Sequence, residues 1–148
     1  MSLNIIQEHP DQLPEELIDQ LSLLATHILN DYKKNDLEIN LKLVSSDEMT
    51  ALNQTYRNKT KDTNVLSFPT DPEVIYLSKE LGDIAICVPF MESEAKTLNR
   101  SKDNHMMHLV THGVLHLLGL DHANEKDANL IESHEISYLK KFNISNPY

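Results

Sequence analysis

The chain has 148 residues, a comfortable length for one domain and a tight one for two. Its composition, 40% hydrophobic and 24% charged, is that of a globular chain and excludes general disorder, while a single cysteine, Cys87, excludes an internal disulfide framework and a cysteine-rich zinc finger. Thirteen Lys and Arg against twenty-three Asp and Glu leave a net charge of −10, which argues against nonspecific coating of nucleic acid but permits a small local basic site, because screening beyond about 8 Å leaves only the nearby field to decide contact.

The sequence contains no apolar run of eighteen residues and opens with neither a basic segment nor an apolar one. No membrane span or secretory leader is predicted, and the expected location is the cytoplasm. Residues 3 to 8, LNIIQE, read as a short strand. From Pro14, well suited to a first helical turn, Leu17, Leu21, Leu24 and Ile28 recur at helical spacing and predict a core-facing helix. Leu37, Ile39, Leu41 and Leu43 then alternate with polar residues, the period of a half-buried strand. Ser45 with Glu48 makes a capping box that opens a helix through Met49, Leu52 and Tyr56.

Beyond a polar loop, NVLSF (64 to 68) and LGDIAICV (81 to 88) read as two strands that pair, each stopped by a proline. The connection TDPEVIYLSKE carries no assignment. Helices are predicted over Met91 to Leu98, His105 to Leu118 and Asp127 to Phe142. Strands early and helices late, with few βαβ crossovers and no linker or repeat, predict one α+β domain over residues 1–148: a small mixed sheet of about four strands packed with helices.

Five of the eight histidines lie between His105 and His122. Within HGVLHLLGLDH (112 to 122), His112 and His116 stand four apart on one helical face, where two imidazoles can chelate one ion. Two packed histidines show the same spacing. Gly119, placed where a helix ends in a left-handed residue, turns the chain so that His122 can return to the same ion, and the triple points to ligation. Three imidazoles with no fourth protein ligand is the pattern of a catalytic zinc site, although imidazole also suits nickel, copper and iron. The spacing matches the zinc-protease motif except that Gly113 replaces its glutamate base, which disfavours peptide hydrolysis. His108 continues the stripe a further turn, about 5.4 Å along the axis, and is read as packing. Asp121 is either a solvated turn residue or a hydrogen-bond partner of a ligand imidazole. Glu135 shares a mostly apolar face with Ile131, Tyr138 and Phe142, so it is expected to have a buried partner such as a ligand histidine.

Three segments in order, YRNKTKDTNVLSFP (56 to 69), LGDIAI (81 to 86) and HGVLHLLGLDH, resemble the signatures of the YbeY-type rRNA maturation factors, metal-dependent single-strand-specific endoribonucleases of bacteria. The resemblance covers nearly the whole chain. It implies that His112, His116 and His122 hold one zinc ion, that Arg57 is the functional arginine beside it, and that the fold is a small mixed sheet flanked by helices. Leu120 stands where the family usually has tyrosine and Ile131 where methionine is common, and both keep an apolar side chain. Glu132 and Glu135 match acidic positions of the last helix.

The chemistry agrees with the implied role. A guanidinium grips phosphate oxygens through two parallel hydrogen bonds, and Arg57 is one of only two arginines in the chain. Lys59 and Lys61 follow it and form a concentrated basic loop suited to a phosphate backbone. The expectation is a metal-dependent hydrolase of RNA phosphodiester bonds, with Arg57 and His112 as catalytic residues and Arg57, Lys59 and Lys61 contacting substrate. Activated water and the RNA's own 2′-hydroxyl are both available as attackers. By the resemblance its setting is 16S rRNA 3′-end maturation and ribosome quality control, with an rRNA precursor, the small ribosomal subunit and assembly factors as partners. The rival readings are a non-catalytic ribosome-assembly factor with structural zinc and a zinc hydrolase of another substrate.

Overall fold

The computed structural model describes residues 2–7, 13–56, 65–121 and 123–148. Arg57, Lys59, Lys61 and His122 therefore lie outside the described residues. In chain order the elements are β1 (Leu3–Gln7), α1 (Glu15–Asp31), β2 (Glu38–Leu43), α2 (Ser46–Tyr56), β3 (Val65–Pro69), α3 (Pro72–Ser78), β4 (Glu80–Ile86), α4 (Val88–Thr97), α5 (Lys102–Leu117) and α6 (Glu125–Lys140). The four strands form one mixed sheet in the order β1-β2-β4-β3. This is the α+β architecture that the patterning predicts.

The sheet departs from that expectation in its connections. β1 runs parallel to β2 and β2 parallel to β4, and only β3 is antiparallel, pairing with β4 from Val65 opposite Ile86 to Pro69 opposite Gly82. Crossovers are thus the rule on one side of the sheet: α1 carries the chain from β1 to β2, and α2, β3 and α3 together carry it from β2 to β4. The unassigned connection contains α3, which opens with Pro72 in its first turn, ends at Lys79 in the left-handed region (φ 62°) and buries none of its residues. With only Ile75 packed against the core, and that partly, it leaves no periodic signal. Pro89, which the sequence suggests as a strand stop, instead sits in the first turn of α4, where its missing N–H costs nothing, so that helix starts three residues before the expected Met91.

Alternation along the strands divides the interior into two layers. Ile39, Leu41, Ile84 and Ile86 face the larger core, together with Leu21, Leu24 and Ile28 of α1, Met106, Val110 and Val114 of α5, and Ile131 and Leu139 of α6. Ala85 and Cys87, one residue out of step, join Met49 and Leu66 in a smaller cluster, with Phe68 and Phe90 packed against it. Each large side chain fully withdrawn from water stabilises the fold by about 1.5 to 3 kcal/mol before its ordering cost, so the larger layer dominates.

α5 is the structural axis of that layer, touching β3, β4, α1, α4 and α6. Ser101 caps it, its hydroxyl accepting from the Asn104 N–H at 3.1 Å. At the other end Gly119 takes φ 100°, its N–H bonds the His116 carbonyl at 2.9 Å, and the Leu120 N–H reaches back to the Leu115 carbonyl at 3.0 Å. This paired closure needs a left-handed residue at position 119, which is why glycine stands there. Among the described residues no helix is long and apolar enough to cross a membrane.

Candidate metal and phosphate site

α5 presents His112 and His116 on one face, with ring centroids 4.6 Å apart and planes inclined by 64°. Both are partly exposed, while Gly113, Val114 and Leu115 between them are buried. Helical periodicity explains the division: the sheet and α1 take the apolar stripe, and the two imidazoles fall on the remaining face. Gly113 lies where α5 rests on the sheet. A Cβ there would stand 2.9 Å from Cδ1 of Ile84 and 3.2 Å from its Cγ atoms, and the Ser67 hydroxyl of β3 donates to the Gly113 carbonyl at 3.4 Å. Position 113 therefore faces the sheet, away from the imidazoles, and a glutamate in that place would enter the core.

Glu135 of α6 is fully buried and stands at the centre of a polar network. Its Oε2 lies 3.2 Å from Nδ1 of His112, its Oε1 lies 2.6 Å from Nε2 of His108, and the Tyr148 hydroxyl donates to Oε1 at 2.8 Å. Burial pushes this carboxyl up, but the hydrogen bonds and charge of His108 and His112 outweigh it and hold the group at about 2, so it is ionised at neutral pH. An ionised carboxylate only accepts hydrogen bonds. Nδ1 of His112 and Nε2 of His108 must then each carry the hydrogen. In the neutral form of His112, the hydrogen on Nδ1 puts the ring lone pair on Nε2, the tautomer that a carboxylate behind a metal-binding imidazole favours.

His108 has a larger role than the packing its spacing suggests. Besides Glu135 it meets Nη1 of Arg100 at 3.3 Å through Nδ1, and the ring of Tyr148 stands edge-on to it at 5.4 Å. Desolvation, then the charge of Glu135, raise the Tyr148 phenol, which keeps it protonated as a donor. Sequence spacing cannot reveal this network, because Glu135, Arg100 and Tyr148 come from other parts of the chain; the one available signal is a glutamate on an apolar helical stripe. His105, likewise without a telling spacing, is buried and pairs through Nε2 with Glu94 of α4.

The remaining expected residues divide as follows. Asp121 is exposed just past the turn that closes α5. Asp83 of β4, within the LGDIAI segment, meets Lys42 at 3.0 Å and accepts from Asn40 at 3.1 Å, so it serves cross-strand pairing. Tyr56, at the end of α2, stacks edge-on against Phe68 of β3 at 5.0 Å, which fixes the residue preceding Arg57 against the strand that also contacts Gly113. Among the described residues no three His, Cys, Asp or Glu side chains converge as a metal site. The fit therefore rests on the donors of α5: two imidazoles on one face, one of them held by a buried carboxylate in the tautomer that a metal requires.

A profile of the family described as endoribonuclease YbeY matches residues 4–143. Several proteins named endoribonuclease YbeY are similar over most of their length. One from Vesicomyosocius okutanii is 41% identical over 130 residues, covering 88% of this chain and 90% of its own. One from Colwellia psychrerythraea is 47% identical over 114 residues, covering 76% and 73%. One from Francisella tularensis is 37% identical over 155 aligned positions, covering 100% and 89%. The solution structure of a Thermotoga maritima protein superposes with a TM-score of 0.63 at 29% identity, covering 94% of this chain and 87% of that one.

Proposed function

The chain belongs to the endoribonuclease YbeY family, and from that membership we propose that it is a zinc-dependent, single-strand-specific endoribonuclease formed by one domain over residues 1–148. His112, His116 and His122 hold one ion. A bound zinc ion supplies Lewis acidity toward phosphate oxygens and water. Arg57 clamps the scissile phosphate with two parallel hydrogen bonds and offsets the charge that builds on its oxygens, and Lys59 and Lys61 steady the neighbouring backbone. Glu135 fixes the His112 ring so that its Nε2 lone pair points outward, and Asp121 sits beside His122 in sequence as a further partner for a ligand imidazole. The substrate is a flexible strand of an rRNA precursor, cut during late 16S 3′-end maturation and ribosome quality control in the cytoplasm, with the small subunit and its assembly factors as partners.

The observation that carries this reading is the His112–Glu135 pair on the helix that also presents His116 one turn further along the same face. A fully buried carboxylate is costly unless it serves its partners, and here one partner is the candidate ligand. Gly113 offers no general base and faces the sheet, which separates this site from a zinc peptidase.

The test is cleavage of a single-stranded RNA by zinc-loaded protein beside His116→Ala and Arg57→Ala, with metal content and folding measured for each. Wild type is expected to cut, His116→Ala to lose both zinc and cutting, and Arg57→Ala to keep zinc while cutting about a hundredfold more slowly, as removal of one charge-stabilising donor does. Equal cutting by all three would overturn the assignment. Product ends then identify the attacker: a 5′-phosphate with a 3′-hydroxyl means water, and a 2′,3′-cyclic phosphate means the RNA's own hydroxyl.

A further inference from the structure

We propose that Tyr148 is a positioning residue that acts through Glu135 to hold His112 in its Nδ1–H tautomer, an inference that rests on His112 being a metal ligand. The Tyr148 hydroxyl donates to Glu135 Oε1 at 2.8 Å, beside the His108 Nε2–H that reaches the same oxygen at 2.6 Å. Oε2 is left to the His112 Nδ1–H at 3.2 Å. With Oε1 saturated by two donors, the carboxylate cannot rotate without breaking both contacts, and its second oxygen stays aimed at His112.

The tyrosine is built into this place. The Tyr148 N–H bonds the Asn146 side-chain oxygen at 2.8 Å, a local turn that curls the segment back, while the Ile144 N–H bonds the Leu139 carbonyl at 3.0 Å and ties the segment to the end of α6. The ring meets His108 edge-on at 5.4 Å. Yet Tyr148 is 59% exposed, so it buries little apolar area of its own. An exposed side chain whose one polar atom reaches a fully buried carboxylate contributes orientation more than packing. Tyr148 also lies beyond residues 4–143, the span matched by the family profile.

The experiment compares the full-length chain with Tyr148→Phe, which keeps the ring on His108 and removes only the donor, and with His116→Ala. Two readouts are taken: Zn²⁺ affinity by competition with a chromogenic chelator, and the histidine ring ¹⁵N shifts of the metal-free proteins. Tyr148→Phe is expected to bind Zn²⁺ about tenfold more weakly, the low end for groups behind a ligand imidazole, and to move the His112 nitrogens from a fixed Nδ1–H pattern toward a mixture of tautomers. A merely structural role would lower the melting temperature and leave those shifts in place. Unchanged His112 shifts in Tyr148→Phe overturn the proposal. Zn²⁺ binding indifferent to His116→Ala overturns instead the metal-site reading, and the metal-free shifts still decide whether Tyr148 holds His112.

Discussion

At position 113 one missing side chain separates this helix from that of a zinc peptidase, and the reason is steric as well as chemical. A Cβ at 113 already meets Ile84 at 2.9 Å, so a glutamate would bring its carboxylate into the apolar layer between α5 and the sheet. Gly113→Glu is therefore expected to destabilise the fold by roughly 3 kcal/mol or more and to confer no peptidase activity. Urea unfolding of the variant checks this, and a stable variant with an unchanged midpoint would show that α5 can lift from the sheet. The contrast with Glu135 is instructive. Both positions lie on apolar surfaces, but α6 brings Glu135 against the imidazoles of His108 and His112, and those donors make a buried charge tolerable. Sequence pattern shows that Glu135 needs a partner and cannot choose which histidine supplies it.

Elements are legible in the chain to the extent that they turn an apolar stripe to the core. α1, β2, α5 and α6 do so and their spacing reads directly, whereas α3 buries nothing and is silent. Strand direction is also hidden, because a parallel and an antiparallel neighbour ask for the same apolar residues; only the length of the β1-to-β2 connection hints at a crossover. The site is legible where its residues share a helix, as His112 and His116 do, and obscure where α6 and residue 148 complete it. One tether between elements has a measurable consequence. The Tyr138 hydroxyl of α6 donates to Asp31 at the end of α1 at 2.9 Å, and burial, then this hydrogen bond and the Asp31 charge, push its phenol up from the ordinary tyrosine value. A raised folded-state value means that the native chain keeps a proton the unfolded chain loses. The stabilisation is complete below about pH 10 and is lost as pH rises beyond it, at a slope of at most about 1.4 kcal/mol per pH unit. Urea unfolding between pH 9 and 11 is expected to show a shallower alkaline decline in Tyr138→Phe than in wild type; parallel declines would mean that the tether does not hold the proton.

For the whole molecule, charge sets how RNA can be held. A chain of net charge −10 repels a polyanion at a distance, so association depends on the few cations that reach phosphates directly. If Arg57, Lys59 and Lys61 are those cations, three phosphates are neutralised, and for a single strand the logarithm of the association constant should fall against the logarithm of salt with a slope of about −2, three times the single-strand coefficient. Each charge removed from that loop should then reduce the slope by about 0.7, so that replacing both lysines by alanine leaves about −0.7. Fluorescence anisotropy of a labelled single-stranded RNA across a salt series, under conditions that prevent cleavage, measures both values. A wild-type slope of about −5 or steeper would mean that the acidic surface conceals a wider basic track. A slope indifferent to the lysines would move phosphate recognition to other cations, with Arg100 the remaining arginine, already beside His108. A shallow slope lost with the loop would be the mark of a weak, local grip, in which free RNA is released readily and the position of the cut depends on the context presenting the strand.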